Sequence, residues 1–180
     1  DTVPQESWKN PDFSGLDDLM PENPRVVSGF IEIYGDWIDR YGPDGFRIDT
    51  AKHVNAEFWR AFVPAMRERA HARGIPNFHI FGEVYTDKAE DVSLLARWTR
   101  VAGLPAVLDF AFAAAVRDTV AGNAGTELLT RLFADDALYE GGAATALQLP
   151  TFISNHDFGR FAHFVQRMRP GISDDEALGR

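Results

Sequence analysis

The chain alternates between stretches with helical apolar spacing and short runs that are apolar throughout. The first helical stretch follows Asn23-Pro24, a pair typical of a helix N-terminus, and Gly42-Pro43 is predicted to end it. The apolar side chains on this helix recur every three or four positions; they are Val27, Phe30, Tyr34, Trp37 and Tyr41. A second helix is predicted to begin after Asn55 and to end at Gly74, with Pro64 causing a kink or a later start.

Short apolar runs separate the helical stretches, and each is predicted to be a strand. In order they are "GFRID", "NFHIFGEV", "PAVLDF" and "LQLPTFISNHD". The later helical patterns are "AEDVSLLARWTRV", "AFAAAVRDTV", "TELLTRLFADD" and "FGRFAHFVQRM". Alternation of strands and helices predicts a parallel sheet with helical crossovers. The predicted strands end about 36 residues apart on average, against roughly 31 per unit in a (β/α)₈ barrel of about 250 residues. An open doubly wound sheet fits the alternation equally well.

The composition narrows the class of protein. The chain has 180 residues, of which 45% are hydrophobic and 25% charged, and a formal net charge of −9. This is typical of a globular chain, and its negative charge argues against nucleic acid as a partner. No apolar run approaches the roughly 20 residues that span a bilayer, so no membrane association is predicted. The absence of cysteine excludes disulfides and thiolate metal sites within this chain.

Both ends of the sequence indicate an internal piece of a longer protein. The chain begins with Asp1, and its last segment contains Ser173 followed three residues later by Glu176, the pattern of a capping box. A helix is therefore predicted to begin close to the point where the sequence stops.

Acidic residues close three of the predicted strands: Asp49, Glu83 and Asp157. Taken singly, each is explained as well by a helix cap, a loop residue or a turn. Three carboxylates meeting at the carboxyl ends of parallel strands would repel one another, and in such folds these ends carry the active site. Two carboxylates flanking a bond are what glycoside hydrolysis requires. Arg47, two residues before Asp49 and on the same side of the strand, would keep that carboxylate ionised and oriented.

Three motifs resemble the α-amylase family, glycoside hydrolase family 13. "GFRIDTAKH", "FGEVY" and "FISNHD" are similar to its fourth-, fifth- and seventh-strand motifs, in the same order, and "LDDLMPENP" resembles the short motif that ends the preceding loop domain. The resemblance implies an α/β fold: part of a (β/α)₈ TIM barrel comprising parallel strands four to seven with their helices. Residues 1–22 would be the tail of the loop domain, and residues 23–180 a partial catalytic barrel truncated at both ends.

The resemblance also implies roles for the three acids. Asp49 would be the nucleophile that forms a covalent glycosyl-enzyme, and Glu83 the general acid/base. Asp157 would grip sugar hydroxyls and stabilise the oxocarbenium-like state.

Further residues match positions that bind substrate or metal in that family. Arg47 would hold the nucleophile, His156 would hydrogen-bond the sugar in the −1 subsite, and Lys52 and His53 would line the leaving-group side. Asp18 matches a position that binds a structural Ca²⁺ in many members, and its carboxylate is the kind of hard oxygen ligand that Ca²⁺ prefers. A solvated acidic loop explains Asp18 equally well. No cofactor is expected for the chemistry.

The function implied is that of a retaining glycoside hydrolase acting on α-glucosidic bonds of starch-like oligo- or polysaccharides. Its substrate partner would be an α-glucan or malto-oligosaccharide, and a secreted or periplasmic location is favoured over a cytoplasmic one. Without the third-strand motif, the first three strands and the eighth, this piece alone is expected to be inactive.

Two alternatives stay open at this point. A transglycosylase or sugar isomerase of the same family would differ in what takes the glycosyl intermediate. A non-catalytic carbohydrate- or partner-binding relative would keep the fold but should have lost a catalytic carboxylate, and all three are present here. A phosphate-binding barrel is disfavoured because the chain lacks a glycine-rich phosphate loop.

Overall fold

A computed structural model describes residues 19–179, and their contacts divide them into two units. The first unit contains the described residues up to Glu83 together with Val101–Pro105. The second unit contains Val84–Arg100 and the described residues from Ala106 onward. No helix among the described residues is both long and apolar enough to cross a membrane.

The first unit contains two parallel strands and two long helices in its described part. In chain order the elements are α1 (Pro24–Tyr41), β1 (Gly45–Ile48), a 3₁₀ turn (Ala51–His53), α2 (Ala56–Ala72) and β2 (His79–Gly82). In the pairing of β1 with β2, Ile48 lies opposite Gly82. The backbone N–H of Glu83 extends this ladder by donating to the carbonyl of Ile48 at 2.7 Å. Asp49 and Glu83 therefore each lie one residue past the paired strand ends.

The predicted boundaries of α1 are confirmed by its caps. The Asn23 side chain accepts a hydrogen bond from the backbone N–H of Arg25 at 3.0 Å, which satisfies one of the free donors of the first turn. At the other end Gly42 takes a left-handed conformation with φ 57°, which glycine adopts without steric cost.

Aromatic side chains join α1 to α2 and β1. Phe30 packs edge-on against Phe58 with ring centroids 5.6 Å apart, and Tyr34 packs edge-on against both Phe62 and Phe46 at the same distance. Such edge-to-face pairs are favoured beyond the apolar area they bury. Phe30 and Tyr34 of the predicted stripe thus pack on the strand and the second helix. Trp37 and Tyr41 are exposed instead, and Ile38, which was not predicted, is fully buried.

Helix α2 departs from its prediction in two details. It begins directly after Asn55 and runs through Pro64 without interruption, so the later start does not occur. Asn55 occupies the N-cap position but makes no side-chain cap bond. Instead its amide nitrogen contacts Glu57 at 3.4 Å.

The second unit is mainly helical in its described part. Its elements are α3 (Val92–Val101, whose last residue belongs to the first unit), β3 (Ala106–Val107), α4 (Phe110–Val116) continued by a π-helical turn (Arg117–Ala121), α5 (Glu127–Ala134) continued by a 3₁₀ turn (Asp135–Leu138), α6 (Ala143–Ala146), α7 (Phe161–Met168) and α8 (Asp174–Leu178). The short α6 was not predicted. Ser173 caps α8 by accepting from the Glu176 N–H at 3.3 Å, as the sequence indicated.

The predicted strand over residues 147–157 is wrong. This segment is irregular apart from an isolated antiparallel bridge between Asn155 and Gly159. Its carbonyl at Pro150 accepts one hydrogen bond from the backbone N–H of Asp109 at 3.1 Å. Pro150 has no N–H to return, and β3, just before Asp109, is only two residues long. A ladder therefore does not form beyond that single bond.

Candidate active site

Asp49, the acid directly after β1 in the first unit, is exposed to solvent. Its side chain is 65% exposed, and its Oδ1 accepts a hydrogen bond from Nη1 of Arg47 at 2.7 Å. The predicted pairing of Arg47 with Asp49 is therefore confirmed. Because an exposed ion pair adds little stability, its main effect is to orient the carboxylate.

Glu83 is the buried acid of the same unit, with 8% of its surface exposed. Its Oε2 accepts a hydrogen bond from the backbone N–H of Thr50 at 2.7 Å. Thr50 is the residue directly after Asp49, so one peptide links the strand end that carries Asp49 to the carboxyl group of Glu83. Both acids are thus held at neighbouring strand ends, one facing solvent and one enclosed.

Close packing under the turn Ala51–His53 fixes these positions. Trp59 of α2 donates its indole N–H to the Ala51 carbonyl at 3.0 Å, and Ala51 is fully buried. Gly82 of β2 lies beneath this turn: a Cβ added there would come within 2.8 Å of the Cβ of Ala51 and 2.9 Å of Cδ1 of Leu104. Glycine at residue 82 therefore allows the strand and the turn to approach one another.

Lys52 and His53 are within electrostatic reach of Glu83. Burial lowers the pKa of Lys52, and the negative charge of Glu83 opposes that shift. Burial and, after it, the charge of Lys52 lower the pKa of His53, again against the effect of Glu83. His53 is consequently neutral at neutral pH, able to donate one hydrogen bond and accept another.

Asp157 and His156 lie in the second unit. Nε2 of His156 is 3.0 Å from Oδ2 of Asp157. The side chain of Asn155 accepts the backbone N–H groups of both Asp157 and Phe158, the first at 3.0 Å, forming an Asx turn. Asn155 was missed as a site residue, although an asparagine two positions before an acid is a recognisable signal for such a turn.

The structure thus brings together, at the carboxyl ends of β1 and β2 in the first unit, Arg47, Asp49, Glu83, Lys52 and His53. In the second unit it pairs His156 with Asp157. Asp18 lies outside the described residues. Within residues 19–179 no group of three His, Cys, Asp or Glu side chains is arranged to hold a metal ion.

Comparison with protein families gives a match over nearly the whole chain. The family model for the alpha amylase catalytic domain matches residues 2–176. An alpha-amylase from Streptomyces lividans is 39% identical over 173 residues, which are 96% of this chain and 18% of that protein. A beta/alpha-amylase from Paenibacillus polymyxa is 29% identical over 94% of this chain and 13% of its own length. The chain spans less than a fifth of these relatives.

Solved structures give the same result. The crystal structure of an Anoxybacillus alpha-amylase matches with a TM-score of 0.75 and 28% identity, over 93% of this chain and 35% of that one. An alpha-amylase structure from Malbranchea cinnamomea matches with a TM-score of 0.62 at 24% identity, over 84% of this chain and 28% of its own, which supports the fold alone. The predicted fold class, α/β and part of a (β/α)₈ barrel, is confirmed.

Proposed function

The chain belongs to the alpha-amylase catalytic-domain family, and from this membership we propose that it supplies the central part of an active site that hydrolyses α-glucosidic bonds of starch-like glucans with retention of configuration. The observation that carries the proposal is the pair of acids at adjacent strand ends. Asp49 is exposed and bonded to Arg47, while Glu83 is enclosed and held by the peptide of Thr50.

In the proposed first step the two acids act on opposite sides of the scissile bond. A carboxylate oxygen of Asp49 attacks the anomeric carbon as the bond to the leaving oxygen breaks, and Glu83 gives its proton to that oxygen. The products are a glycosyl ester on Asp49 and a released sugar hydroxyl. Retaining pairs have carboxyl groups about 5–5.5 Å apart, and this separation is what we propose for Asp49 and Glu83.

In the proposed second step the roles reverse. Glu83, now a carboxylate, takes a proton from water, and the water oxygen attacks the anomeric carbon and displaces Asp49. Asp157 and His156 would hydrogen-bond hydroxyls of the reacting sugar, and the negative charge of Asp157 would stabilise the oxocarbenium-like state. Lys52 and His53 would contact the sugar on the leaving-group side, where neutral His53 can serve as donor or acceptor.

The roles of the two acids are tested with Asp49→Asn and Glu83→Gln in the full-length enzyme, using an aryl α-glucoside with a good leaving group. Glu83→Gln should be partly rescued in its first step, because such a leaving group needs little protonation. Asp49→Asn should not be rescued, because no glycosyl-enzyme can form.

Added azide distinguishes the roles further. It should accelerate Glu83→Gln by intercepting the intermediate without base assistance, giving a glycosyl azide of retained α configuration. Rescue of Asp49→Asn but not of Glu83→Gln would exchange the two roles and contradict the assignment.

We also propose that residues 1–22 are the tail of a loop domain and that Asp18 within them contributes to a structural calcium site, because its carboxylate is a hard oxygen ligand. A chelator should then lower the melting temperature of the full-length protein, and Asp18→Asn should reduce that effect. Equal chelator sensitivity of both proteins would show that Asp18 is not a ligand.

A further inference from the structure

We propose that the backbone N–H of Thr50 is the positioning group of the acid/base carboxyl, and that by occupying Oε2 of Glu83 it leaves Oε1 as the oxygen that carries and transfers the proton. The inference rests on the proposed role of Glu83 as general acid/base. It concerns a backbone group that no side-chain motif reveals.

The hydrogen bond itself implies the asymmetry between the two oxygens. The Thr50 N–H lies 2.7 Å from Oε2, and a donor of this kind needs a lone pair on its acceptor. A neutral carboxyl has one O–H and one carbonyl oxygen, and the carbonyl oxygen is the stronger acceptor, so the N–H pairs with it and the proton resides on the other oxygen. When Oε1 gives its proton to the leaving oxygen, the same N–H becomes a charge-assisted donor to the carboxylate. The bond therefore strengthens as the proton leaves.

The conformation of Thr50 supports a functional reason for this contact. Its φ of 50° is in the left-handed region, which only Met20 shares among the described non-glycine residues. For a β-branched residue this is a genuine outlier, and such strain persists where the surrounding structure enforces it and is concentrated at functional sites.

The surroundings enforce the conformation from two directions. The N–H of His53 donates to the Thr50 carbonyl at 2.8 Å, and Trp59 holds the next carbonyl, that of Ala51. The backbone that follows Thr50 is thus held in place, while the Thr50 N–H points to Glu83 instead of continuing a strand ladder.

The direct test replaces the Thr50 amide by an ester, using the α-hydroxy analogue of threonine in the full-length enzyme. The side chain is kept, and the N–H donor is replaced by an ester oxygen. For substrates with poor leaving groups kcat/KM should fall by about tenfold, the effect of losing one hydrogen bond to a charged group. For an aryl α-glucoside with a good leaving group, the rate of the first step should change less than about twofold, because that step needs little acid assistance. Equal losses for both substrates would overturn the proposal, because they would indicate a structural contact.

Two control variants distinguish the effect of losing the Thr50 donor from the effect of disturbing the turn around it. An ester at Val54 removes the N–H that donates to Ala51 at 3.4 Å in the same turn and should affect both substrates equally. Thr50→Gly keeps the donor and removes the strain, so the dependence on leaving group should match the unmodified enzyme. A steeper dependence in Thr50→Gly would assign the effect to the side chain and overturn the proposal.

Neutron diffraction of the unmodified full-length enzyme, at a pH where Glu83 is protonated, gives a test that needs no variant. A deuteron on Oε1 is expected, and one on Oε2 would overturn the proposal. Glu83→Gln distinguishes this inference from the proposed function. If the rate of that variant depends on the leaving group no more than the rate of the unmodified enzyme, Glu83 is not the acid. If the dependence is steeper in Glu83→Gln but not in the Thr50 ester, only the role of Thr50 is wrong.

Discussion

Asp109, which follows β3, is a helix-capping residue whose burial disfavours the charged form of its carboxyl group. It is 8% exposed, and its side chain caps α4 by accepting from the N–H of Phe112 at 3.0 Å. Burial raises the pKa of Asp109 to about 6, the cap bond opposes this, and the charge of Asp136 adds to it. With Tyr139, whose pKa burial also raises, Asp109 lines a cavity of about 210 Å³ in the second unit.

We expect Asp109→Asn to stabilise the protein above pH 6 but not at pH 4. The folded-state pKa lies above the unfolded value of 3.8. The native state thus binds this proton more tightly, and stability is lost as pH rises from about 4 through 6. Asparagine keeps the cap acceptor without the charge, so the free energy of unfolding at pH 7.5 should rise by about 1–3 kcal/mol. Denaturant unfolding of the full-length protein at both pH values measures this.

The control for that experiment is Asp44→Asn, which neutralises an exposed acid in the loop before β1 and should change stability little at either pH. An equal gain from Asp109→Asn at pH 4 and pH 7.5 would show that ionisation of Asp109 is not the cause.

At the scale of elements, the site depends on how closely the 3₁₀ turn after β1 approaches β2. Gly82 makes that approach possible because no side chain separates its backbone from Ala51 and Leu104. Gly29 in α1 is the contrasting case: a Cβ added there meets nothing within 4 Å. The same substitution therefore has opposite expected effects in the two elements.

We expect Gly82→Ala to destabilise the full-length protein by about 1–3 kcal/mol, the usual cost of overpacking a filled core. It should also lower activity, because displacement of Ala51 moves the peptide that holds Glu83. Gly29→Ala, its matched control, should be neutral or stabilising by up to about 1 kcal/mol, because alanine loses less backbone entropy in a helix. Melting curves and kcat/KM of the two variants measure both effects. Destabilisation by Gly29→Ala alone would contradict this account.

Elements with strong local sequence signals could be predicted. Elements that depend on pairing with a distant strand could not. The caps at Asn23, Gly42 and Ser173 are local hydrogen bonds and conformations that residue type determines, and they appear where predicted. The strand expected before Asp157 required a neighbour with free ladder groups, which a two-residue β3 does not provide. Apolar content alone could not reveal that.

The same distinction holds for the candidate site. Arg47 and Asp49 are two residues apart on one strand, so their contact follows from strand geometry. The bond from Thr50 to Glu83 could not be predicted, because a backbone donor has no residue-type signature and threonine disfavours the conformation required.

At the scale of the whole molecule, each unit carries some of the residues proposed to act on the substrate. Asp49 and Glu83 belong to the first, and Asp157 and His156 to the second. Each acid has its own local support: Arg47 for Asp49, the Thr50 peptide for Glu83, and the Asn155 turn for Asp157. Because functional polar groups contribute little to stability and often reduce it, activity and folding should be separable by substitution in either unit.

Asp157→Asn tests this separation in the second unit. The Asp157 side chain is 45% exposed and is paired with an exposed His156, so its neutralisation should leave the melting temperature of the full-length enzyme within about 2 °C, as expected for a surface substitution. If Asp157 stabilises charge in the transition state, kcat/KM should nevertheless fall by about 10²- to 10³-fold, the usual effect of losing one such group. Asp174→Asn, which neutralises an exposed acid in α8 of the same unit, should retain activity. A large fall in melting temperature with Asp157→Asn would instead assign Asp157 a structural role. Full activity of that variant would exclude Asp157 from the proposed mechanism.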